Sequence, residues 1–485
     1  MTEIPEPTQV PGFRGPAAAT EPEEAQLRRG ALGLRRVIFQ NMTNMAPAAA
    51  IVYDFPGQIA AAGAALWLSN SIALFAVLLI ASSIIQFARQ LPHAGGYYTY
   101  LSRSLGPGAG AFSAWIYFLY ALILPAEVTL IWAGIASDLC AQYLHIHIHW
   151  LIFEALMMGL VTYLAYTGVQ RSAKVVVIAG SAEIAIFVVL SIALLVDPVS
   201  PLKFSSLSPS HALAGWSGIL GFGLVYGILN FVGFESAAPM AEETDNPRRN
   251  IPRSVLYSVL ILGVVYLLAS FASVFGWGIP GLASFATNAA PFNVMADRVL
   301  GIGTLLVFLA ATNSSFGCSL ATINQGTRVL MSMGRNGLIS RRVGAIHPKY
   351  RTPHVSALVI GVVAFAFAVT AGLVWGTVTG FYVLAATLTD GAILIYILGN
   401  IGLPVYYRRH VPHSFNWLVH MVLPGLAVIL LGYVFYRTFW PIPAYPLNLP
   451  GYFTVGWIVV GIGLTAYARR TRPEALAAVL AEEIG

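Results

Sequence analysis

The sequence predicts an all-α integral membrane protein with about twelve transmembrane helices, two of them interrupted at mid-membrane. Three observations carry that prediction. Apolar residues make up 57% of the 485-residue chain and charged residues only 9%, with a mean hydropathy of +0.74, whereas a soluble domain carries roughly 25% charge. Apolar runs of about 20 residues, long enough to cross a bilayer, centre near Ala49, Leu78, Ala121, Gly159, Ile186, Leu229, Val265, Thr312, Ala364, Gly391, Val428 and Val460. Two of these runs carry residues that a lipid-facing helix does not tolerate: Pro47 in the first, and Asn230, Gly233 and Glu235 in the sixth.

The basic residues set the orientation. With the N-terminus inside, all but Lys203, Arg298 and Arg437 of the 26 Lys and Arg fall in cytoplasmic segments, a bias that places both termini in the cytoplasm. These residues account for the formal charge of +6 as topological anchors, so no nucleic-acid partner is expected. The chain divides into a disordered cytoplasmic tail over 1–32, rich in Pro, Ala and Glu, a membrane domain over 33–470, and a cytoplasmic C-terminal tail over 471–485. Within the membrane domain, helices 1–5 are expected over about 37–196, helices 6–10 over about 216–402 and helices 11–12 over about 416–468. Cys140 and Cys318 cannot build a disulfide framework or a Cys-rich metal site. His145, His147 and His149 alternate without acidic or cysteine companions, so neither a metal nor a cofactor is expected. The spans contain no HExxH or GxSG-type arrangement, which argues against an intramembrane enzyme.

The interruptions carry the functional reading. In NMTNMAPAAAIVYDFPGQIAAAGAAL, a mid-membrane proline removes one helix hydrogen bond and clashes with the carbonyl four residues back. The first helix should open near Ala46, Pro47, Ala48, Ala49 and Ala50. In ILNFVGFESAAPMAEETDNPRRNIPR, residues 228–253, the sixth helix should open between Asn230 and Glu235. Unpaired backbone in hydrocarbon costs several kcal/mol per group, so such breaks persist only where they line a cavity. Two breaks at corresponding places in two five-span halves form the pattern of an inverted-repeat secondary transporter with its site at the bilayer midplane. Amides freed at a half-helix N-terminus suit a carboxylate, and carbonyls freed at a C-terminus suit an ammonium, which makes a zwitterionic amino acid the natural ligand. Candidate substrate-binding residues are therefore Ala46 to Ala50, Asn230, Phe231, Gly233 and Phe234, with Tyr226 and Tyr382 as further aromatic walls or packing residues.

The stretch ESAAPMAEETDNPRRNIPRSV resembles the sixth-helix signature of the amino acid-polyamine-organocation superfamily of secondary transporters. RQLPHAGGYYTYLSRSLGPGAGAFSAW, between spans two and three, is similar to a second motif of that superfamily, and NSSFGCSLATINQGTRVLMSMGRNGLISRRVGAIHPKYRTPHVSAL to a third. The resemblance implies an amino acid permease of the cell membrane, with a LeuT-type 5+5 inverted repeat whose helices 1 and 6 are discontinuous. Amino-acid-binding members present a Gly-(Ser/Ala)-Gly turn in span one. Here Pro47-Ala48-Ala49-Ala50 takes its place, and proline offers no N–H, which keeps amines without a carboxylate in play beside amino acids.

Acidic residues inside the spans sharpen that alternative. Besides Glu235, the chain places Asp54, Glu127, Glu183 and Asp390 away from span ends, and each is expensive there unless protonated, paired or facing water. Glu127, just after Pro125, either lines the site and attracts a cationic substrate group or packs between helices. Glu183 aligns where proton-coupled relatives carry a span-five lysine facing the first helix, so the resemblance implies a proton-coupling role for Glu183, with Glu235 as the second candidate. The other reading of Glu183 is a neutral acid bonded to a neighbouring helix. Ser314 and Ser315, beside Thr312 and Asn313, sit where sodium-coupled relatives place hydroxyl ligands for a cation. Hydroxyls suit a hard cation, although small polar residues are also common helix–helix glue. The expected function is import of an amino acid or related amine by proton symport, with an amine or amino acid exchanger and a sodium symporter as alternatives.

Overall fold

The structure, a computed structural model, describes residues 32–476 apart from 94, 169–172, 289, 336 and 475. The tail expected over 1–32 lies, save for Leu32, outside the described residues, as does the C-terminal tail beyond residue 476. Regular structure among the described residues is helical throughout, the one extended contact being an isolated bridge between Leu32 and Thr244.

Eleven helical segments among the described residues are long and apolar enough to cross a membrane. The first, Leu34–Gln90, is 57 residues long and contains the runs centred near both Ala49 and Leu78. A straight helix of that length would measure about 85 Å, against about 30 Å of hydrocarbon. It is instead jointed: α1 (Leu34–Asn44) gives way to α2 (Pro47–Ala49), which leads through a wide turn at Ala50–Asp54 into α3 (Phe55–Ala62), and a tight turn at Gly63–Ala65 precedes α4 (Leu66–Gln90). There follow α5 (Tyr97–Leu105), α6 (Pro107–Leu139), α7 (Trp150–Thr167) and α8 (Ala173–Val196).

The second interrupted segment comprises α9 (Gly215–Ile219), α10 (Phe222–Leu229) and a tightly wound stretch at Phe234–Glu243. Beyond it run α11 (Pro247–Trp277), the short α12 (Leu282–Thr287) and α13 (Pro291–Leu300), then α14 (Gly303–Arg335), α15 (His354–Trp375), α16 (Thr377–His410), α17 (Leu423–Arg437) and α18 (Leu449–Thr471).

Burial sorts these helices into a centre and a rim. The apolar window of α6 is almost wholly enclosed, whereas α17 and α18 leave most of theirs open, with Ile429, Val459 and Ile462 exposed. Lipid is as apolar as Leu, so outward-facing side chains cost nothing and helix contacts must come from close approach of small residues. Gly326 of α14 provides one such approach: a Cβ there would stand 2.4 Å from the Cβ of Ala121 in α6. Outside the bundle, Arg298 pairs with Asp197 at 2.9 Å and also donates to the Asp197 and Gly276 carbonyls, tying α13 to the ends of α8 and α11. Of the alternating histidines, His149 caps α7 by accepting from the Leu151 N–H at 3.2 Å.

Candidate functional site

The first break falls at Ala46, whose φ of +46° and ψ of +62° end α1 and start a new helical direction. Pro47 then occupies the first position of the second piece, where its missing N–H is not required. The next two amides are satisfied from other helices. Ala48 N–H donates to Glu183 Oε1 at 2.8 Å, and Ala49 N–H donates to Ser314 Oγ at 3.2 Å. Ser314 in turn donates to Glu183 Oε1 at 2.6 Å, while Asn313 Nδ2 donates to Glu183 Oε2 at 2.8 Å. Glu183, on α8, therefore caps the second half-helix from the side, doing what an N-cap residue does from within the chain.

The second break runs from Asn230 to Gly233, and a carboxylate also satisfies it. Glu235 Oε2 accepts from the Gly233 N–H at 3.2 Å and from the Tyr396 hydroxyl of α16 at 3.0 Å. Gly233 has φ +102°, a backbone conformation that strains any residue with a Cβ. A Cβ at Gly233 would also stand 2.6 Å from Asn44 Nδ2 and 2.9 Å from the Asn44 carbonyl oxygen. The two breaks thus touch each other, Gly233 lying directly on the last turn of α1.

Asn44 holds that contact together. Its Nδ2 donates to the Tyr120 hydroxyl at 3.1 Å and toward the Gly233 carbonyl at 3.5 Å, its Oδ1 accepts from Thr322 at 3.3 Å, and its backbone carbonyl accepts from Cys318 Sγ at 3.2 Å. Three residues earlier on the same face, Asn41 accepts from Ser236 Oγ and from the Ala237 N–H and donates to Ser258. Neither asparagine was singled out by sequence. The signal was present: two asparagines spaced by three put two amides on one face of an apolar helix, where each must find a partner.

A small cavity lies between the breaks. Ala46, Ala49 and Ala50 of the first break border it, together with the apolar side chains of Met45, Leu124, Val128, Leu229, Val232 and Phe381. Its polar wall consists of Asn44, Tyr53, Asp54, Glu127 and Cys318. The structure thus brings Ala46, Ala49, Ala50 and Glu127 to one space. Pro47, Ala48, Asn230, Phe231, Gly233 and Phe234 are buried around it without being among its lining residues. Asn230 is the nearest of these in function: its carboxamide lies 3.0 Å from that of Asn70 and, with its nitrogen turned inward, donates to Asp54 Oδ2 at 3.1 Å. Tyr266 donates to the Asn230 carbonyl at 2.9 Å, satisfying one of the groups that the break releases.

Tyr226 and Tyr382 pack against the wide turn without lining the cavity. Tyr382 donates to the Tyr53 carbonyl at 3.3 Å, Tyr226 reaches the Tyr382 carbonyl at 3.5 Å, and both rings press on Gly57, where a Cβ would meet Tyr382 at 2.7 Å. Toward the end where the chain enters α1 a wider vestibule opens, bordered by Arg36, Gln40, Thr43, Ser236 and the ion pair of Arg328 with Glu243 at 3.2 Å.

The remaining acidic and hydroxyl residues all have addresses. Ser315 Oγ lies 3.0 Å from the Tyr53 hydroxyl, so the oxygens of both Ser314 and Ser315 are engaged by protein groups. Asp390 of α16 accepts from Thr438, the residue that follows α17, at 2.8 Å, outside the cavity. Glu154, a buried acid of α7 that the sequence reading passed over because it lies one turn from the helix start, accepts from Thr129 at 2.9 Å.

Comparison with known proteins finds relatives along most of the chain. The chain is 25% identical to the branched-chain amino acid permease BcaP of Bacillus subtilis, over 78% of this chain and 82% of that protein. It is 23% identical to the methylthioribose transporter of Bacillus subtilis, over 88% and 90% of the two chains. A third relative, the low-affinity putrescine importer PlaP of Escherichia coli K12, is 24% identical over 68% of this chain and 71% of its own. The model of the amino acid permease family matches residues 36–474, from the third residue of α1 to beyond the end of α18, and the chain belongs to that family, within the amino acid-polyamine-organocation superfamily.

Proposed function

We propose that the protein is a secondary active transporter that imports an amino acid or related amine across the cell membrane by alternating access, coupled to protons, with both termini cytoplasmic. The observation that carries this reading is the small cavity between two touching helix breaks. Breaking two helices inside hydrocarbon is costly, and here the opened backbone of both breaks borders one shared space. In this reading the vestibule beside Arg36 and Arg328 is the cytoplasmic exit, and the 57-residue first segment supplies two of twelve spans in a 5+5 repeat. The relatives carry branched-chain amino acids, methylthioribose and putrescine by name, which supports a small-molecule cargo and includes an amine.

Glu183 and Glu235 are the proton-coupling residues of this proposal, because each holds a break in place through hydrogen bonds that its proton state alters. Exchange of amines is the second reading, favoured by the presence of Glu127 in the cavity wall. Sodium at Ser314 and Ser315 would have to take oxygens now bonded to Glu183 and Tyr53. Purified protein in proteoliposomes provides the test: saturable counterflow of a labelled amino acid or amine is expected. Flux that neither saturates nor shows counterflow would mean a channel and overturn the reading.

A further inference from the structure

The cavity has its own carboxylates at both helix breaks, and this decides what kind of ligand it accepts. A half-helix N-terminus in a broken span ordinarily offers its amides to an anionic substrate group. In this chain Glu183 and Ser314 already take the Ala48 and Ala49 amides, and Pro47 has none. Glu235 takes the Gly233 amide at the second break. The other donors bordering the cavity are engaged as well: Ala50 N–H bonds to the Ala46 carbonyl at 2.9 Å, Tyr53 pairs with Ser315, and the Asn44 amide bonds to Tyr120. The wall contains two acids, Asp54 and Glu127, and no Lys, Arg or His.

What is left over is a carboxyl. Glu127 Oε2 has no hydrogen-bond partner, on a residue only 2% exposed. A buried polar group without a partner is costly, and Glu127 sits in the face of α6 that borders the cavity. Around it the surface is Met45, Leu124, Val128 and Phe381. We infer that the substrate is a primary amine with an apolar body and no α-carboxylate, its ammonium donating to Glu127 beside Asp54. This deepens the transport reading above and rests on it. A carboxylate entering the same space would find the Ala48, Ala49 and Gly233 amides already taken and no basic side chain in the wall.

Matched ligand pairs test this without any mutation. Full-length purified protein is titrated with isopentylamine against leucine and with phenethylamine against phenylalanine, and both members of each pair are assayed in proteoliposome counterflow. Each amine is expected to bind at least about tenfold more tightly than its parent amino acid, because the amino acid's carboxylate goes unsatisfied. Glu127→Gln, which keeps the shape, and Asp54→Asn are expected to weaken amine binding by about tenfold or more while remaining monodisperse. Equal or tighter binding of the amino acids overturns the inference and leaves transport standing. Preference for amines that survives both substitutions overturns the assignment to these acids, and saturable counterflow by no member of either pair overturns the transport reading together with the inference.

Discussion

Gly233→Val attacks the point where the two helix breaks meet. At φ +102° any side chain strains the backbone, by about 1–2 kcal/mol for an ordinary left-handed residue and more for a β-branched one. The new Cβ would also stand 2.6 Å from Asn44 Nδ2 and 2.9 Å from the Asn44 carbonyl oxygen, and these cannot both withdraw while Asn44 keeps its bonds to Tyr120 and Thr322. Leaving one buried polar group unsatisfied adds about 1–3 kcal/mol. The two together come to about 3 kcal/mol, or roughly a 100-fold loss in the population of the binding-competent arrangement. Insertion should be unaffected, because the hydropathy of the span does not fall. Expression and size-exclusion profile check insertion, and ligand-induced thermal stabilisation reads the site. Wild-type affinity in Gly233→Val would refute the claim that the breaks are in contact, and Gly233→Ala provides the same test with a smaller side chain.

Glu183→Gln keeps one acceptor for Ala48 but turns an NH2 toward Asn313, so counterflow should persist while accumulation driven by a pH gradient is lost; unchanged proton-driven uptake would move the coupling role to Glu235. Asn44→Ala removes side-chain bonds to Tyr120, Thr322 and Gly233 and should destabilise the protein by about 2–3 kcal/mol, seen as a lowered Tm in detergent; an unchanged Tm would show that the hub is dispensable. In a background with Cys140 and Cys318 replaced by Ala, cysteines at Asn288 and Pro198 should react with an impermeant reagent from outside and one at Asn246 should not, and reversed labelling would invert the orientation.

The fold was legible because membrane insertion imposes simple constraints. Hydropathy alone located the spans, and the chemistry of single residues located both breaks to within a few positions: Pro47 marks the first helical position after the Ala46 kink, and Gly233 carries the positive φ of the second. The jointed character of the first segment was less legible. Its wide turn at Ala50–Asp54 and the tight turn at Gly63–Ala65 arise from contacts such as Gly63 against Leu213, where a Cβ would meet the Leu213 backbone nitrogen at 2.9 Å. Such contacts belong to residues 150 positions apart, and no local pattern announces them.

The site was legible in its parts and not in its pairings. Every acid that mattered stood out as an anomaly in an apolar run, but the anomaly says only that a partner is needed, and the partner decides the role. Glu183 and Glu235 look alike in sequence to Glu127, yet two of the three hold backbone amides and the third stands in the cavity wall with a buried oxygen unpaired. A helix break releases donors and acceptors in fixed number, and whichever of them the protein satisfies from its own side chains is withdrawn from the ligand. The donors here are withdrawn by Glu183, Ser314 and Glu235. A reading that counts the freed amides predicts a carboxylate ligand, and one that counts what remains after capping predicts its absence. Only the second count needs the three-dimensional contacts between α8, α14 and the first break, which join residues more than a hundred positions apart.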